Sequence, residues 1–206
     1  MKISFIGSGN VGQALARLFA KAGHTVTLTN RHGKNSLTEI VQSLGKNVTA
    51  GDLTDAVNDQ DLVVLAIPFN SITNLDDHLL QGQNVIDATN YFPQRDGHLV
   101  KFIDHEIASS QFVADYFKGS KVVKAFNSFG VKDLPSLVRT KGALDRTAIP
   151  VAGDDPLKQT VMTLIDQIGF DAYDDGPLAT SFAIQADGPI FGFEATTAEL
   201  KVKLAD

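Results

Sequence analysis

A glycine-rich turn near the N-terminus constrains the fold of this chain more than any other feature. The run Gly7-Ser8-Gly9-Asn10-Val11-Gly12 follows a short β-type segment, Lys2 to Ile6. Apolar residues then recur at the spacing of one helix face, and Gly23 is a typical helix end. Thr25 to Thr29 read as a second strand. Strand, glycine turn, helix and strand in about thirty residues is the context of a dinucleotide-binding fingerprint.

Each glycine of the turn has its own physical reason. Gly7 permits the tight turn, Gly9 lets a pyrophosphate approach the backbone because it has no Cβ, and Gly12 lets the helix pack close to the strand. The helix N-terminus presents free N–H groups and a partial positive charge. The turn therefore predicts a pyrophosphate site. The alternative is an ordinary turn in another α/β protein.

The end of the second strand predicts which dinucleotide binds. An NAD site usually has Asp or Glu here for the ribose 2′-hydroxyl, but the sequence shows no carboxylate before Glu39. Arg31 can donate a fork of hydrogen bonds to a 2′-phosphate, and His32 and Lys34 add positive charge. With Asn30 as a neutral donor, this segment favours NADP. A solvated turn, or Asn30 serving the 2′-hydroxyl of NAD, is the alternative.

Composition excludes several classes of function. The 206 residues contain 43% hydrophobic and 20% charged residues, which is ordinary for a globular protein. There are no cysteines, so disulfides and thiol catalysis are excluded. The net charge of −6 and scattered basic residues argue against nucleic-acid or membrane-surface binding. The longest apolar run, near Leu62 to Ile67, is too short for a membrane span, and a cytoplasmic location is expected.

The rest of the first 130 residues alternates strands with helices. Further strands are predicted at 48–50, 61–67, 84–87 and 121–125, and helices at 37–44, 70–80 and 105–117. Six strands alternating with helices predict an α/β fold, a doubly wound parallel sheet of the Rossmann type.

The remaining segment has a βαβ unit of its own. Strands are predicted at 147–152 and 170–173, with a helix that begins near Pro156 and ends at Gly169. We therefore expect a dinucleotide-binding domain over residues 1–130 and a small C-terminal α/β lobe over 131–206, packed on the same sheet for substrate binding or dimerisation. The tail after Leu178 is expected to cover a sheet edge.

Ligands of open α/β sheets bind outside the carboxyl ends of the strands. Loops predicted there contain Pro68, Asn90 and Asn127, with aromatic rings nearby. Amides and rings suit a nicotinamide and a flat partner ring, and we expect Phe69, Tyr91 and Phe129 to line an aromatic slot. Turn-forming and packing roles for these residues are the alternative.

The sequence assigns no catalytic residue and no metal site. The five histidines show no convincing metal-ligand spacing, and there is no Tyr-x-x-x-Lys pair. Lys124 lies within a predicted strand, where a structural or phosphate-proximal role is expected. Hydride transfer between two redox cofactors needs little beyond close stacking, whereas reduction of a carbonyl or imine usually needs a proton donor.

Several segments together resemble the NADP oxidoreductase, coenzyme F420-dependent family. They are Ile6 to Gly12, Ala22 to His24, Asn30-Arg31, Val85 to Asn90, Val122 to Asn127, Val151 to Asp155, Ile168 to Asp171 and Gly176 to Leu178.

The resemblance implies a Rossmann domain with a small C-terminal lobe, NADP as cofactor and, usually, a homodimer. It implies hydride transfer between NADP(H) and a deazaflavin, with the nicotinamide between domain and lobe. It places NADP contacts on Ser8, Asn10, Val11, Arg31, Lys34, Ile67, Pro68, Asn90 and Asn127. After Leu178 the chain departs from the family's pattern.

Three functions follow as hypotheses. The first is an NADP(H)-dependent oxidoreductase that exchanges hydride with a flavin, deazaflavin or other flat small-molecule acceptor. The second is an imine or β-hydroxyacid reductase, although about eighty residues after Asn127 leave little room for the long helical domain of such enzymes. The third is a non-catalytic NADP-binding sensor or scaffold.

Overall fold

The computed structural model of the protein describes residues 1–130 and 133–205. Within these residues there are eight strands: β1 Lys2–Ile6, β2 Thr25–Thr29, β3 Val48–Ala50, β4 Leu62–Leu65, β5 Asn84–Asp87, β6 Lys121–Lys124, β7 Ala148–Val151 and β8 Asp171–Asp174. The α-helices are α1 Asn10–Lys21, α2 Thr38–Leu44, α3 Pro93–Asp96, α4 Val100–Ile103, α5 Ser109–Tyr116, α6 Leu134–Leu137, α7 Leu157–Gln167 and α8 Thr197–Ala205. Three 3-10 helices cover Lys34–Leu37, Phe69–Asn74 and Leu178–Ile184.

Six parallel strands form the main sheet in the order β3-β2-β1-β4-β5-β6. This is the order of the doubly wound dinucleotide-binding fold, and it confirms the predicted α/β class. The strand order reverses between β1 and β4. Ligands of such sheets bind at that switch point, outside the carboxyl ends of the strands.

The two faces of the sheet are buried in separate clusters. On β4, Leu62 and Val64 pack with α1 and α7, whereas Val63 and Leu65 pack with α5 and the 3-10 helix at 69–74. Alternate residues of a strand point to opposite faces, so a strand covered on both sides must be apolar throughout. The run that predicted β4 has this property.

The C-terminal βαβ unit joins the sheet at its β6 edge. Strands β7 and β8 pair in parallel, and an antiparallel bridge links Lys124 at the end of β6 to Ala152 just after β7. Side chains of β7 and α7, including Ile149 and Val161, share the apolar cluster of α1. The predicted boundary after residue 130 adjoins residues 131 and 132, which lie outside the described residues, and the division into two domains stays a prediction.

The helices of the structure differ in detail from those predicted. The helix expected over 70–80 is a 3-10 helix at Phe69–Asn74 followed by turns. Its buried residues, Phe69 and Ile72, are three apart, which matches three residues per turn. Helix α8 was missed, although Thr196 and Glu199 form a reciprocal capping box that the Thr-x-x-Glu spacing could have indicated.

Candidate functional site

The three glycines of the N-terminal turn differ in what surrounds them. A Cβ on Gly7, whose φ is +119°, would lie 2.2 Å from the Ala66 carbonyl oxygen. A Cβ on Gly12 would lie 2.1 Å from the Gly7 carbonyl oxygen. A Cβ on Gly9 would meet nothing within 4 Å. Packing of the chain thus requires glycine at the first and third positions, while the second leaves open space beside the helix.

The start of α1 offers unpaired backbone donors at this space. Its first backbone hydrogen bond runs from the Gln13 N–H to the Gly9 carbonyl, so the amides of residues 10–12 have no partner within the helix. The first turn of the helix carries no acidic side chain. The side-chain Nε2 of Gln13 donates to the Ser8 carbonyl. Asn10, Val11 and Gly12 therefore present N–H groups at the positive end of the helix dipole, which suits an anion.

Asn30 organises the loop after β2. Its Oδ1 accepts from the His32 backbone N–H at 2.8 Å, and its Nδ2 donates to Ser36 Oγ at 2.9 Å and to Ser8 Oγ at 3.3 Å. The loop and the glycine turn are thereby joined through one side chain. Sequence reasoning gave Asn30 a direct role toward the ribose, and the structure adds this role within the loop.

A carboxylate from the loop after β3 lies against this loop, and sequence reasoning did not place it there. Asp52, which follows β3, lies with Oδ2 3.5 Å from Lys34 Nζ and accepts from the Lys34 backbone N–H through Oδ1. Because β2 and β3 are parallel neighbours, their carboxyl ends meet although 22 residues separate Asn30 from Asp52. Lys34 is therefore engaged by Asp52, although the loop after β2 itself contains no carboxylate before Glu39.

Arg31 is in a different position. Its side chain is exposed, and its Nε donates to His32 Nε2 at 3.2 Å. Among residues 1–130 and 133–205, no carboxylate forms an ion pair with Arg31. The guanidinium thus keeps donors that a phosphate could accept.

Ile67 and Pro68 lie at the switch point beside the glycine turn. Ile67 follows β4, and its Cγ2 would be 3.0 Å from a Cβ on Gly7. Pro68 is exposed and precedes the 3-10 helix at 69–74. The structure therefore places both predicted residues next to the predicted pyrophosphate site.

Asn90 and Asn127 are brought together from the ends of β5 and β6. The Asn90 Nδ2 donates to the Asn127 backbone carbonyl at 2.7 Å, and the Asn127 Nδ2 donates to Asn90 Oδ1 at 2.9 Å. Asn127 is 4% exposed, and its Nδ2 also donates to the Ile184 carbonyl. Its Oδ1 is buried without a hydrogen-bond partner. A buried acceptor of this kind calls for a donor, such as the carboxamide of a nicotinamide.

The segment after Asn90 is held by one ion pair. Arg95 donates to the Asn90 carbonyl and pairs with Asp96, whose side chain is buried. Burial would raise the pKa of Asp96, but hydrogen bonds from Arg95 and from the amides of Phe92 and Asn70 outweigh it and lower the pKa. The loop is thus fixed by local polar contacts on the surface of the site.

The predicted aromatic slot is not formed. Phe69 is buried among Tyr91, Phe102 and Phe112, with ring centroids 5.2–5.7 Å away. Phe129 is buried in the separate cluster that packs on α1. Because opposite faces of one sheet hold them, these rings pack the core and do not line one slot.

The C-terminal tail lies across the ends of β5 and β6. Besides the contact of Ile184 with Asn127, the Gln185 Oε1 accepts from the Ser109 amide, and the Gly192 amide donates to the Ser128 carbonyl. A small cavity of about 10 Å³ remains beneath it, lined by Tyr91, Phe102, Ser109, Gln185 and Asp187.

A histidine–carboxylate pair beside this cavity was missed from the sequence. His105 Nε2 lies 2.8 Å from Asp187 Oδ2, and its ring lies 5.4 Å from the ring of Phe182. The two partners are 82 residues apart. No rule on sequence spacing could have predicted this pair, because the two residues meet only through the path of the tail over the sheet.

Lys124 occupies the protein interior. Its side chain is fully buried 3.5 Å from the carboxylate of Asp87, which is also fully buried. Burial lowers the pKa of Lys124, while Asp87 opposes that shift. The structural role expected for Lys124 fits this placement, whereas a phosphate-proximal role does not.

Within the described part of the chain, the group that could offer three metal ligands is the exposed set Asp76, Asp77 and His78, and Lys118 already bonds Asp77. Among the helices of residues 1–130 and 133–205, none is long and apolar enough to cross a membrane.

The site has the features that an NADP molecule requires. Open space at Gly9 and free amides at the start of α1 suit a pyrophosphate, Arg31 suits a 2′-phosphate, and the unpaired Oδ1 of Asn127 suits a carboxamide. These groups lie along the carboxyl ends of β2, β1 and β6, on both sides of the switch point.

Fold and site define a dinucleotide-binding protein of the kind found among NAD(P)-dependent oxidoreductases. Residues 2–91 match the model of the family described as NADP oxidoreductase, coenzyme F420-dependent. The resemblance drawn from the sequence is thereby confirmed over these residues, and so is NADP as the cofactor of the matching family.

Known proteins extend the comparison. A glycerol-3-phosphate dehydrogenase [NAD(P)+] of Fusobacterium nucleatum is 37% identical over 87 residues, 36% of this chain and 26% of that protein. The chain thus spans about a quarter of the length of the curated relatives it matches.

Two solved structures match over nearly the whole chain. A protein of Sinorhizobium meliloti described as hypothetical has a TM-score of 0.82 and 29% identity, over 95% of both chains. A protein of Arthrobacter sp. FB24, provisionally described as an F420-dependent NADP-reductase, has a TM-score of 0.71 and 26% identity, over 88% of this chain and 87% of its own. The fold beyond residue 91 is therefore shared with these proteins.

Proposed function

We propose that this chain is an NADPH-dependent oxidoreductase that exchanges hydride with a flavin, a deazaflavin or another flat acceptor. The observation that carries the proposal is the pairing of Asn90 with Asn127 at the carboxyl ends of β5 and β6, on the same edge of the sheet as the glycine turn. This pairing leaves one buried acceptor, Asn127 Oδ1, at the carboxyl edge of the sheet where a nicotinamide would lie. The family description and the Arthrobacter neighbour, which both name F420, support the class of acceptor.

In this proposal the bound cofactor supplies the hydride, and the protein supplies binding and orientation. The amides at the start of α1 bind the pyrophosphate, and Arg31 binds the 2′-phosphate. Asn127 orients the carboxamide, because its side chain is already fixed by Asn90 and Ile184. The tail limits water on one side of the site, since it covers Asn127 and Ser128.

One observation favours a second candidate, the reduction of a carbonyl or imine. Such a reaction needs a proton donor, and His105 is held by Asp187 beside the small cavity under the tail. A His–carboxylate pair is a common arrangement for holding an imidazole in one orientation. In this reading His105 would supply the proton and no flat acceptor would be needed.

Steady-state NADPH oxidation with two panels of acceptors separates the candidates. One panel holds FMN, FAD and a deazaflavin, and the other holds small carbonyls, imines and dihydroxyacetone phosphate. Turnover with the first panel that survives His105→Asn supports the flat-acceptor proposal. Turnover with the second panel alone, lost in His105→Asn, supports the reductase. Tight NADPH binding without turnover on either panel supports a sensor or scaffold instead.

The resemblance also leads us to propose a homodimer. Sedimentation of the full chain with and without NADPH tests it, and a single species of about 22 kDa, the mass of one chain, in both conditions would contradict it.

A further inference from the structure

A buried charged cluster lies directly behind the Asn90–Asn127 pair. Asp87 and Lys124 are register partners at the ends of β5 and β6, and both side chains are fully buried. Ser110, near the start of α5, stands between them, since its Oγ accepts from Lys124 Nζ at 2.8 Å and donates to Asp87 Oδ2. Burying two charges costs free energy even when they are paired. A function for this cluster would explain why it is buried.

The other hydrogen bonds of the cluster go to the backbone of one residue. The Asp87 Oδ1 accepts from the Thr89 N–H at 2.9 Å, and the Lys124 Nζ donates to the Thr89 carbonyl at 3.1 Å. Both backbone polar groups of Thr89 are therefore bound to buried charges. Because the Thr89 carbonyl belongs to the peptide group that leads into Asn90, the cluster sets the direction in which Asn90 leaves β5.

The end of β6, from which Asn127 leaves the sheet, is held by backbone hydrogen bonds. The backbone of Lys124 exchanges two hydrogen bonds with Ala152 after β7, at 2.8 and 3.1 Å. Two residues later, Phe126 has a φ of +65°, a conformation that is rare for a bulky residue. Asn127 follows at once. Strained backbone of this kind persists where the surrounding structure holds it, and it is common at ligand sites.

We propose that Asp87, Ser110 and Lys124 are positioning residues that set Asn90 and Asn127 against the nicotinamide end of NADPH. The three side chains act through the Thr89 peptide groups on Asn90, and through Asn90 on its partner Asn127, without touching the cofactor. This inference rests on the proposed function, because it assumes that NADPH binds along these strand ends. It explains why charge is kept in the interior at this place, since charged hydrogen bonds hold a backbone more firmly than neutral ones.

The test compares the binding of NADPH with that of 2′-phospho-ADP-ribose, which lacks the nicotinamide. Both affinities are measured by calorimetry on the full chain and on the variant Asp87→Asn/Lys124→Met, which removes both charges together. We expect the affinity for NADPH to fall about tenfold, the value of one well-placed hydrogen bond, and that for the fragment to change less than about twofold. Ser110→Ala, which removes only the bridging hydroxyl, is expected to shift the ratio in the same direction by less.

Arg146→Met is the matched control for a purely structural effect. Arg146 is also a buried cation, bonded to Asp166 and to the Phe170 carbonyl at the opposite end of β7. Its loss is expected to lower the melting temperature while leaving the ratio of the two affinities unchanged.

The outcomes distinguish this inference from the proposed function. If the wild-type chain binds neither ligand, the proposed function fails. If it binds both, and the double variant loses both equally or neither, the positioning role is overturned and the cluster is structural. If the double variant does not fold, Ser110→Ala decides, and an unchanged affinity ratio in that folded variant overturns the inference.

Discussion

The two ends of the proposed cofactor site are built in opposite ways. At the adenosine end, the loop after β2 places Arg31, His32 and Lys34 on an exposed surface. At the nicotinamide end, Asn127 is buried and fixed by Asn90, and a buried charged cluster lies behind the pair. The loop at the adenosine end is held by solvent-exposed hydrogen bonds. The side chains at the nicotinamide end are held by hydrogen bonds from which water is excluded.

The exposed end is suited to recognising the 2′-phosphate, and the buried end is suited to positioning the nicotinamide. Exposed charges are screened by solvent and contribute little to the stability of the fold, so they can be exchanged without harm to it. Buried polar groups are expensive to leave unpaired, so a change at the nicotinamide end affects its neighbours as well. Specificity for the 2′-phosphate is therefore expected to be adjustable, whereas the geometry around Asn90 is not.

At the adenosine end, we expect the replacement of Arg31 to have the largest effect on NADPH binding. Arg31→Ala should weaken NADPH binding by about 1.5–3 kcal/mol, or roughly ten- to hundredfold in Kd, because a charge-assisted hydrogen bond to the 2′-phosphate is lost. NADH binding should change little, because NADH has no 2′-phosphate. Calorimetric titration of both nucleotides measures the two values.

Lys34→Ala serves as the comparison within the same loop. Lys34 lies 3.5 Å from Asp52, so part of its charge is already engaged, and its loss should cost less than that of Arg31. Equal losses for NADPH and NADH in Arg31→Ala would remove Arg31 from the 2′-phosphate. A larger loss in Lys34→Ala than in Arg31→Ala would contradict the assignment of roles within the loop.

The glycine turn, between the two ends, offers a second test of fold against binding. Gly12→Ala should lower the free energy of unfolding by about 1–3 kcal/mol, because its Cβ would meet the Gly7 carbonyl oxygen at 2.1 Å. Gly9→Ala should leave it within about 0.5 kcal/mol, because the methyl group enters open space and the Gly9 φ of −71° suits alanine. Only Gly9→Ala should weaken NADPH binding while the melting temperature stays unchanged.

Denaturant unfolding of the two variants measures their free energies of unfolding, and NADPH titration measures their affinities. If Gly9→Ala binds NADPH as the wild type does, the pyrophosphate does not approach the backbone there. If Gly12→Ala is as stable as the wild type, the close contact of α1 with the turn is not required for folding.

The sequence predicted what depends on local pattern. The glycine turn, the apolar run of β4 and the polar residues at strand ends follow from short-range spacing, and all were found where expected. Asp52 beside Lys34, Asp187 beside His105 and Ser110 beside Asp87 could not be predicted. Each pair is joined by the course of strands or of the tail, at separations of 18, 82 and 23 residues.

The aromatic slot failed for a related reason. Phe69 and Phe129 both follow strand ends, which suggested that they would meet. The face of the sheet to which each ring turns depends on backbone geometry after the strand, and hydrophobic residues in loops gain more by entering a core than by lining an open slot.

Asp175, a half-buried residue whose Oδ2 is buried, extends the contrast between paired and unpaired carboxyl groups. Asp87 is bonded through both oxygens, whereas the Asp175 Oδ2 is buried without a partner just after β8. Burial and the nearby charge of Asp174 raise the pKa of Asp175 to about 6. Burial with partners holds a backbone in place, and burial without partners should therefore cost stability once the group is ionised.

The substitution Asp175→Asn tests this cost in stability, and its expected effect is the smallest of those predicted. The folded chain retains the Asp175 proton up to a pH of about 6, whereas its ordinary pKa is 3.8. The folded state therefore binds more protons between these values, so the stability of the wild type falls as the pH rises through this window and the loss is complete above it. At pH 7.5 the variant should be more stable by on the order of 1 kcal/mol, a value reduced for the partial exposure of the side chain, and at pH 4 the gain should vanish. Urea unfolding at both pH values measures it, with Asp104→Asn, an exposed aspartate, as the control. An equal gain at both pH values would mean that the charge of Asp175 is not what costs stability, and that burial without a partner is tolerated at this end of the sheet.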